Sequence, residues 1–237
     1  MDDRPREEIV AALDDIVSEL LDQAGVSEPP VDAIALAQSH LGIPVSLDTR
    51  QEPRGRVQRI GRRPRIYLRP EPTEERHQWT VAHEIGRHFK SQIHERLDLD
   101  PEEAKALTGD SLHTLFSSRL LVPTIWFAED AKALDFNLLE LKKRYTTSSN
   151  EVIARRMLDL PYPTIITVVD NGTVTKRKTN GPEIKATEME PVEQRCWEYV
   201  NQNSLPRIVT EGNWTVQGWP IHQTDWKREI LRTVVDE

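Results

Sequence analysis

The chain has 237 residues, 37% of them hydrophobic and 30% charged, with a formal net charge of −8. The apolar share is too high for a disordered chain, the length suits one large domain or a domain with an appendage, and the acidic balance excludes nucleic acid as the default partner. One cysteine, Cys196, excludes an internal disulfide and a cysteine-rich zinc site. Met1-Asp2-Asp3-Arg4-Pro5 lacks the apolar segment of a secretory signal, and no apolar run is long enough to cross a bilayer, so a cytoplasmic protein away from membranes is expected.

Residues 6–24 predict an amphipathic helix through Ile9, Leu13, Ile16, Val17, Leu20 and Leu21, stopped by Gly25. After Pro29-Pro30 a second helix runs from Val31 to Leu41 and ends at Gly42. Ile43 to Leu47 predicts a strand, and Arg56–Ile60 with Arg65–Leu68 predict a hairpin around Gly61-Arg62-Arg63-Pro64. Seven arginines lie between Arg54 and Arg69. They read as a solvated hairpin edge protected from edge-to-edge pairing, or else as a local grip on an acidic partner.

Glu71 to Ile93 predicts one helix, with Val81, Ile85, Phe89 and Ile93 on its apolar stripe. A short acidic helix after Pro101 leads to another that Asp110 caps, running to Leu121 before Pro123. Phe136–Tyr145 and Ser149–Leu158 predict two more helices. At Pro161 the character changes. Ile165–Val169, Asp170-Asn171-Gly172 and Thr173–Thr175 form a hairpin pattern; a helix over Val192–Asn201 and strands at Trp214–Val216 and Ile230–Val235 follow. The expected fold class is α+β: a mainly helical body with a small β-sheet over residues 1–160, then a β-rich extension over 161–237. The tail's tryptophans, Trp214, Trp219 and Trp226, read as packing residues or as a peptide-binding surface.

The chemistry is concentrated in Ala82-His83-Glu84-Ile85-Gly86-Arg87-His88. Helical residues four apart lie about 40° apart around the axis, so the pattern H-E-x-x-H brings two imidazoles to one metal with the Glu as general base. His83 and Glu84 fit; the second imidazole's place holds Arg87, a permanent cation. His88, five residues on, lies about 140° from His83 on a regular helix. Three arrangements are open. A π-bulge could bring His83 and His88 to one metal, Glu84 and His88 could form a carboxylate–imidazole site, or Arg87 could stand as a fixed charge, ion-paired to an acid on a facing helix. His77 reads as exposed at the helix start, His94 is about 16 Å along the axis from His83, and His40 and His222 stand alone and read as surface or satisfied core histidines, not ligands.

Thr80-Val81-Ala82-His83-Glu84-Ile85-Gly86 resembles the "AHELGH" helix of the ImmA/IrrE metallopeptidase family. Pro30-Val31-Asp32, Leu41-Gly42-Ile43, Glu74-Glu75-Arg76, Phe116 to Pro123, and Leu141 to Leu158 are similar to further segments of that family in the same order, covering about residues 10 to 160. The resemblance implies a zincin-like body, zinc as cofactor, Glu84 as the catalytic general base and His83 as a metal ligand. The family's third ligand, a Glu, falls at Leu112, so His88 and His113 are the substitute ligands to consider, with Asp110 beside them. The implied partner is a protein or peptide, such as a repressor. Two functions follow: a zinc-dependent endopeptidase with a rebuilt site, or a peptidase-fold protein that binds a regulatory protein without cutting it. Direct control of transcription is disfavoured by the acidic charge and the lack of a helix-turn-helix signature.

Overall fold

The first helix, α1 (Arg6–Gln23), buries Leu13, Ile16, Val17, Leu20 and Leu21, the stripe its spacing predicts. The computed structural model describes residues 6–61, 63–99, 109–181 and 188–235. Contacts divide the chain into two units: residues 1–129 with 144–149, and 130–143 with 150–237. Residues 130–143 and 150–160, which precede the change of composition at Pro161, thus belong with the second unit.

In the first unit, α2 starts as a helical turn at Ala33–Ala35 and continues as π-helix over Leu36–His40. Its start is tied to α3 (Glu74–His88) by one side chain. Buried Gln78 accepts from the Ala33 backbone N–H (2.7 Å) and donates to Asp32 (2.9 Å), while Asp32 caps the Ala35 N–H (2.9 Å). Strands β1 (Val45–Leu47), β2 (Gly55–Ile60) and β3 (Arg63–Leu68) form a sheet in the order β1-β3-β2, with β1 parallel and β2 antiparallel to β3. β2 is therefore an edge strand. Ile66 and Leu68 are buried, and both β2 and β3 contact α3.

The expected single helix from Glu71 to Ile93 is two helices. α3 ends at His88, Phe89 turns with ψ of 3°, and α4 follows at Lys90–Arg96. Val81, Ile85 and Ile93 are all buried, as a period of four requires, but that period does not distinguish one helix from two in tandem. Glu71 lies outside the helix as the buried centre of an arginine clamp, with Arg69 at 2.8 Å, Arg76 at 3.1 Å and Arg54 at 3.7 Å. The Arg69 hydrogen bond, with further help from Arg76 and Arg54, holds the Glu71 carboxyl below its usual range against the effect of burial. His77, expected exposed, is half-buried: its Nε2 lies 3.1 Å from the Glu71 backbone N and 3.2 Å from the Arg69 carbonyl.

Helix α5 (Gly109–Leu121) packs on α3 and α1, and buried Arg119 meets Asp14 of α1 at 3.3 Å. The acidic helix expected after Pro101 and the Asp110 side chain lie outside the described residues. Pro123 ends α5 and at once opens an unforeseen helix, α6 (Thr124–Ala133), where a missing N–H costs nothing. α7 (Leu138–Arg144) begins two residues later than expected, because Asp135 and Phe136 have positive φ and the Asn137 side chain accepts the Leu139 N–H at 3.1 Å.

The second unit carries α8 (Asn150–Arg156), a short 3-10 turn at Met157–Asp159, and an antiparallel five-stranded sheet. Its strands are β4 (Ile165–Asp170), β5 (Thr173–Thr179), β6 (Arg207–Glu211), β7 (Trp214–Pro220) and β8 (Arg228–Val235), in the order β5-β4-β8-β7-β6. Positive φ at Asn171 and Gly172 makes the β4–β5 turn the kind its sequence predicts. α9 (Pro191–Asn203) lies against β6, β7 and β8. Its Val192, Cys196 and Val200 form a core with Val216 and Leu231. Gly218 allows this approach, since a Cβ there would sit 2.9 Å from both Leu231 and Val200. Trp219 is buried and Trp226 is 45% exposed. The architecture is α+β, with its larger sheet in the C-terminal part.

Candidate functional site

The residues the sequence singles out sit on α3, held between α5 on one side and the β2–β3 hairpin on the other. Gly86 sets the distance between helices: a Cβ there would lie 3.0 Å from the Phe116 ring. One turn on, Phe89 stacks on Phe116 with centroids 6.0 Å apart. One turn back, His83 meets His113 edge to face, with ring centroids 5.4 Å apart and planes at 85°. The structure therefore joins His83 and His113 from separate helices, a pairing that sequence spacing alone does not disclose.

His88 takes no part in that pair. α3 is regular α-helix from Glu74 to His88, and the π-helical stretch of this unit lies in α2. His88 is on the outer side at the helix end, its ring edge-on to Phe89 at 5.6 Å. Desolvation, and secondarily the cation of Arg59, hold its pKa below the usual imidazole value.

Glu84 points the other way, beneath β2. It is buried, and a Cβ on Gly55 would lie 3.6 Å from its Oε1 and 2.3 Å from Thr80 Cγ2. Only a glycine lets the strand start so close over the helix. Gly55 and Thr80 are thus parts of the site that the motif did not reveal, and a glycine opening a strand was the available signal. Burial raises the pKa of Glu84, while Arg87, an exposed residue 3.4 Å from Oε1, pulls it down. Of the three open arrangements, the one with Arg87 as a fixed charge ion-paired to an acid matches in part: the acid is Glu84, one turn back on the same helix and not on a facing one. Among the described residues the other oxygen, Oε2, accepts no hydrogen bond. Leu112, in the place of the resemblance's third ligand, is buried and apolar.

A catalytic zinc takes three protein ligands and an open position. The described donors here are two imidazoles, and no group of three His, Cys, Asp or Glu side chains suited to a metal ion occurs among the described residues. A guanidinium holds the fourth residue after His83. This donor set does not fit the zinc of a peptidase.

His222 is a hydrogen-bonded structural histidine of the second unit. Its Nε2 is 2.6 Å from Glu229 and its Nδ1 is 3.0 Å from Ser204. No helix among the described residues is long and apolar enough to cross a membrane.

No protein-family model matches this sequence, and no curated protein matches it. Among solved structures, a Mycobacterium tuberculosis transcriptional regulator is similar over 97% of this chain and 80% of its own, with a TM-score of 0.64 and 16% identity. At that identity the likeness is one of fold.

Proposed function

We propose that this protein is a regulatory module on a peptidase-like scaffold, which uses the α3–β2 site to bind a segment of a regulatory protein without cutting it. The carrying observation is the environment of Glu84. A general base of a zinc peptidase faces a metal-bound water. Glu84 instead lies buried under Gly55 with Arg87 as its charged neighbour, and the position of the third ligand is the buried Leu112. The solved regulator of similar fold is compatible with a regulatory role.

A second reading, a zinc-dependent endopeptidase with a rebuilt site, is favoured by one observation. Two imidazoles bound to one tetrahedral zinc would place their centroids about 5 Å apart, and His83 and His113 are 5.4 Å apart. An ordinary edge-to-face ring pair has the same separation.

The two readings separate on metal content and cleavage. Protein purified without an affinity tag and dialysed against excess zinc is expected to retain far less than one equivalent by mass spectrometry. It is expected to bind, but leave intact, the protein product of a neighbouring gene. One zinc per chain that disappears in His83→Ala and His113→Ala, with cleavage abolished in Glu84→Ala, would establish the peptidase instead.

A further inference from the structure

Seven arginines and no acidic residue fall between Arg54 and Arg69, in a chain whose net charge is −8. The rest of the molecule is therefore seven charges more negative than the whole, and the β2–β3 hairpin is a basic island on it. Some of that charge is balanced. Arg54 and Arg69 converge on Glu71, and Arg56 reaches Asp48 at 3.2 Å while lying over the Tyr67 ring. Arg59, Arg63 and Arg65 have no acidic partner within ion-pair distance among the described residues. Arg59 and Arg63 are exposed and Arg65 is half-buried.

The strand register distributes these three over both faces of the hairpin. Arg65 stands opposite Gln58 and Arg63 opposite Ile60, on the face that carries Arg56 and Tyr67. Arg59 shares its face with Gly55, the residue that lies over Glu84 and Thr80. Between them runs β2, whose outer edge pairs with no strand among the described residues, with Val57 40% exposed along it. An edge strand turns every second residue's N–H and C=O outward, which is a template for an added strand. Protecting such an edge needs charge of either sign. Arginines form paired hydrogen bonds with carboxylates, so a strip composed solely of them is suited to more than protection.

Resting on the binding role proposed above, we propose that the β2 edge with Arg59, Arg63 and Arg65 is the docking strip for an extended, acidic segment of the protein partner. A long polyanion would meet the acidic remainder of the chain, whereas a single strand with alternating carboxylates meets only the hairpin.

The test uses the full chain and fluorescence anisotropy with a labelled peptide of about eight residues, a strand's length, alternating Glu and Thr, against its counterpart with Gln in place of Glu. The expected result is at least about tenfold tighter binding of the acidic peptide, weakening with salt. The preference should vanish in Arg59→Glu/Arg63→Glu and survive in Arg59→Lys/Arg63→Lys, with the thermal midpoint of each variant unchanged. Equal binding of both peptides overturns the acidic strip and leaves the binding role standing. Binding of neither peptide also overturns the strip, and the zinc and cleavage assays then decide the function separately. Tighter binding of a DNA duplex than of the acidic peptide overturns it in favour of a general polyanion surface.

Discussion

Buried carboxylates occur in both units, and Glu84 is bonded differently from Glu71, Glu193 and Glu229. In the second unit Glu193 is fully enclosed and fully bonded. Arg177 grips it with two hydrogen bonds of 3.0 and 2.8 Å, Thr233 donates at 2.5 Å and the Glu190 backbone N–H at 2.8 Å. Glu229 receives Trp197 and Asn201 at 3.0 Å each, with His222 at 2.6 Å. In the first unit Glu71 is likewise held, by Arg69, Arg76 and Arg54, but Glu84 has one polar contact, a 3.4 Å approach from an exposed arginine, and an oxygen that accepts nothing among the described residues. A carboxylate with three or four donors is part of the framework. One that is buried and under-bonded costs stability, and such positions mark sites more often than scaffolds.

This contrast can be broken most forcefully at Glu193. Glu193→Ala leaves the Arg177 guanidinium buried without its counter-charge and is expected to lower unfolding stability by about 3–5 kcal/mol. Urea titration followed by tryptophan fluorescence measures it, and a loss under about 1 kcal/mol would remove Glu193 from the framework. Glu229→Ala strands the Trp197 and Asn201 donors and is expected to cost about 2 kcal/mol in the same assay.

Glu84→Gln is the smallest effect and has the opposite sign. Because burial raises the Glu84 pKa above its unfolded value of 4.5, the native state holds that proton more tightly than the unfolded chain does. The penalty is absent below the unfolded pKa and grows as pH rises through the folded one. Glu84→Gln should therefore be more stable than the parent at pH 7, by about 1 kcal/mol or about 2–4 °C in thermal midpoint, and equal to it below about pH 4.5. A variant that melts lower at pH 7 would show that Glu84 is satisfied after all.

The helices α1, α3 and α5 and the β4–β5 hairpin were legible because apolar period and turn chemistry are local properties. Three elements escape such local signals, each for its own reason. The break at Phe89 is invisible to a period of four, Pro123 hides α6 because the proline that stops one helix also starts the next, and the edge strand β6 has an exposed pattern with no apolar alternation. At the site, Arg87 in place of an imidazole and Leu112 in place of an acid were readable directly. The edge-to-face geometry of His83 and His113 and the cover of Gly55 over Glu84 were not.

The sequence by itself determined the α+β class, the place of the chemistry on one helix and the arginine-rich hairpin, since each depends on residue type and short spacing. The tertiary structure alone decided which helix faces meet and, among the described residues, which carboxylate is left under-bonded and which strand edge is open. Those depend on contacts such as Gly86 against Phe116 and Gly55 against Thr80, between residues whose separation along the chain carries no periodic signal.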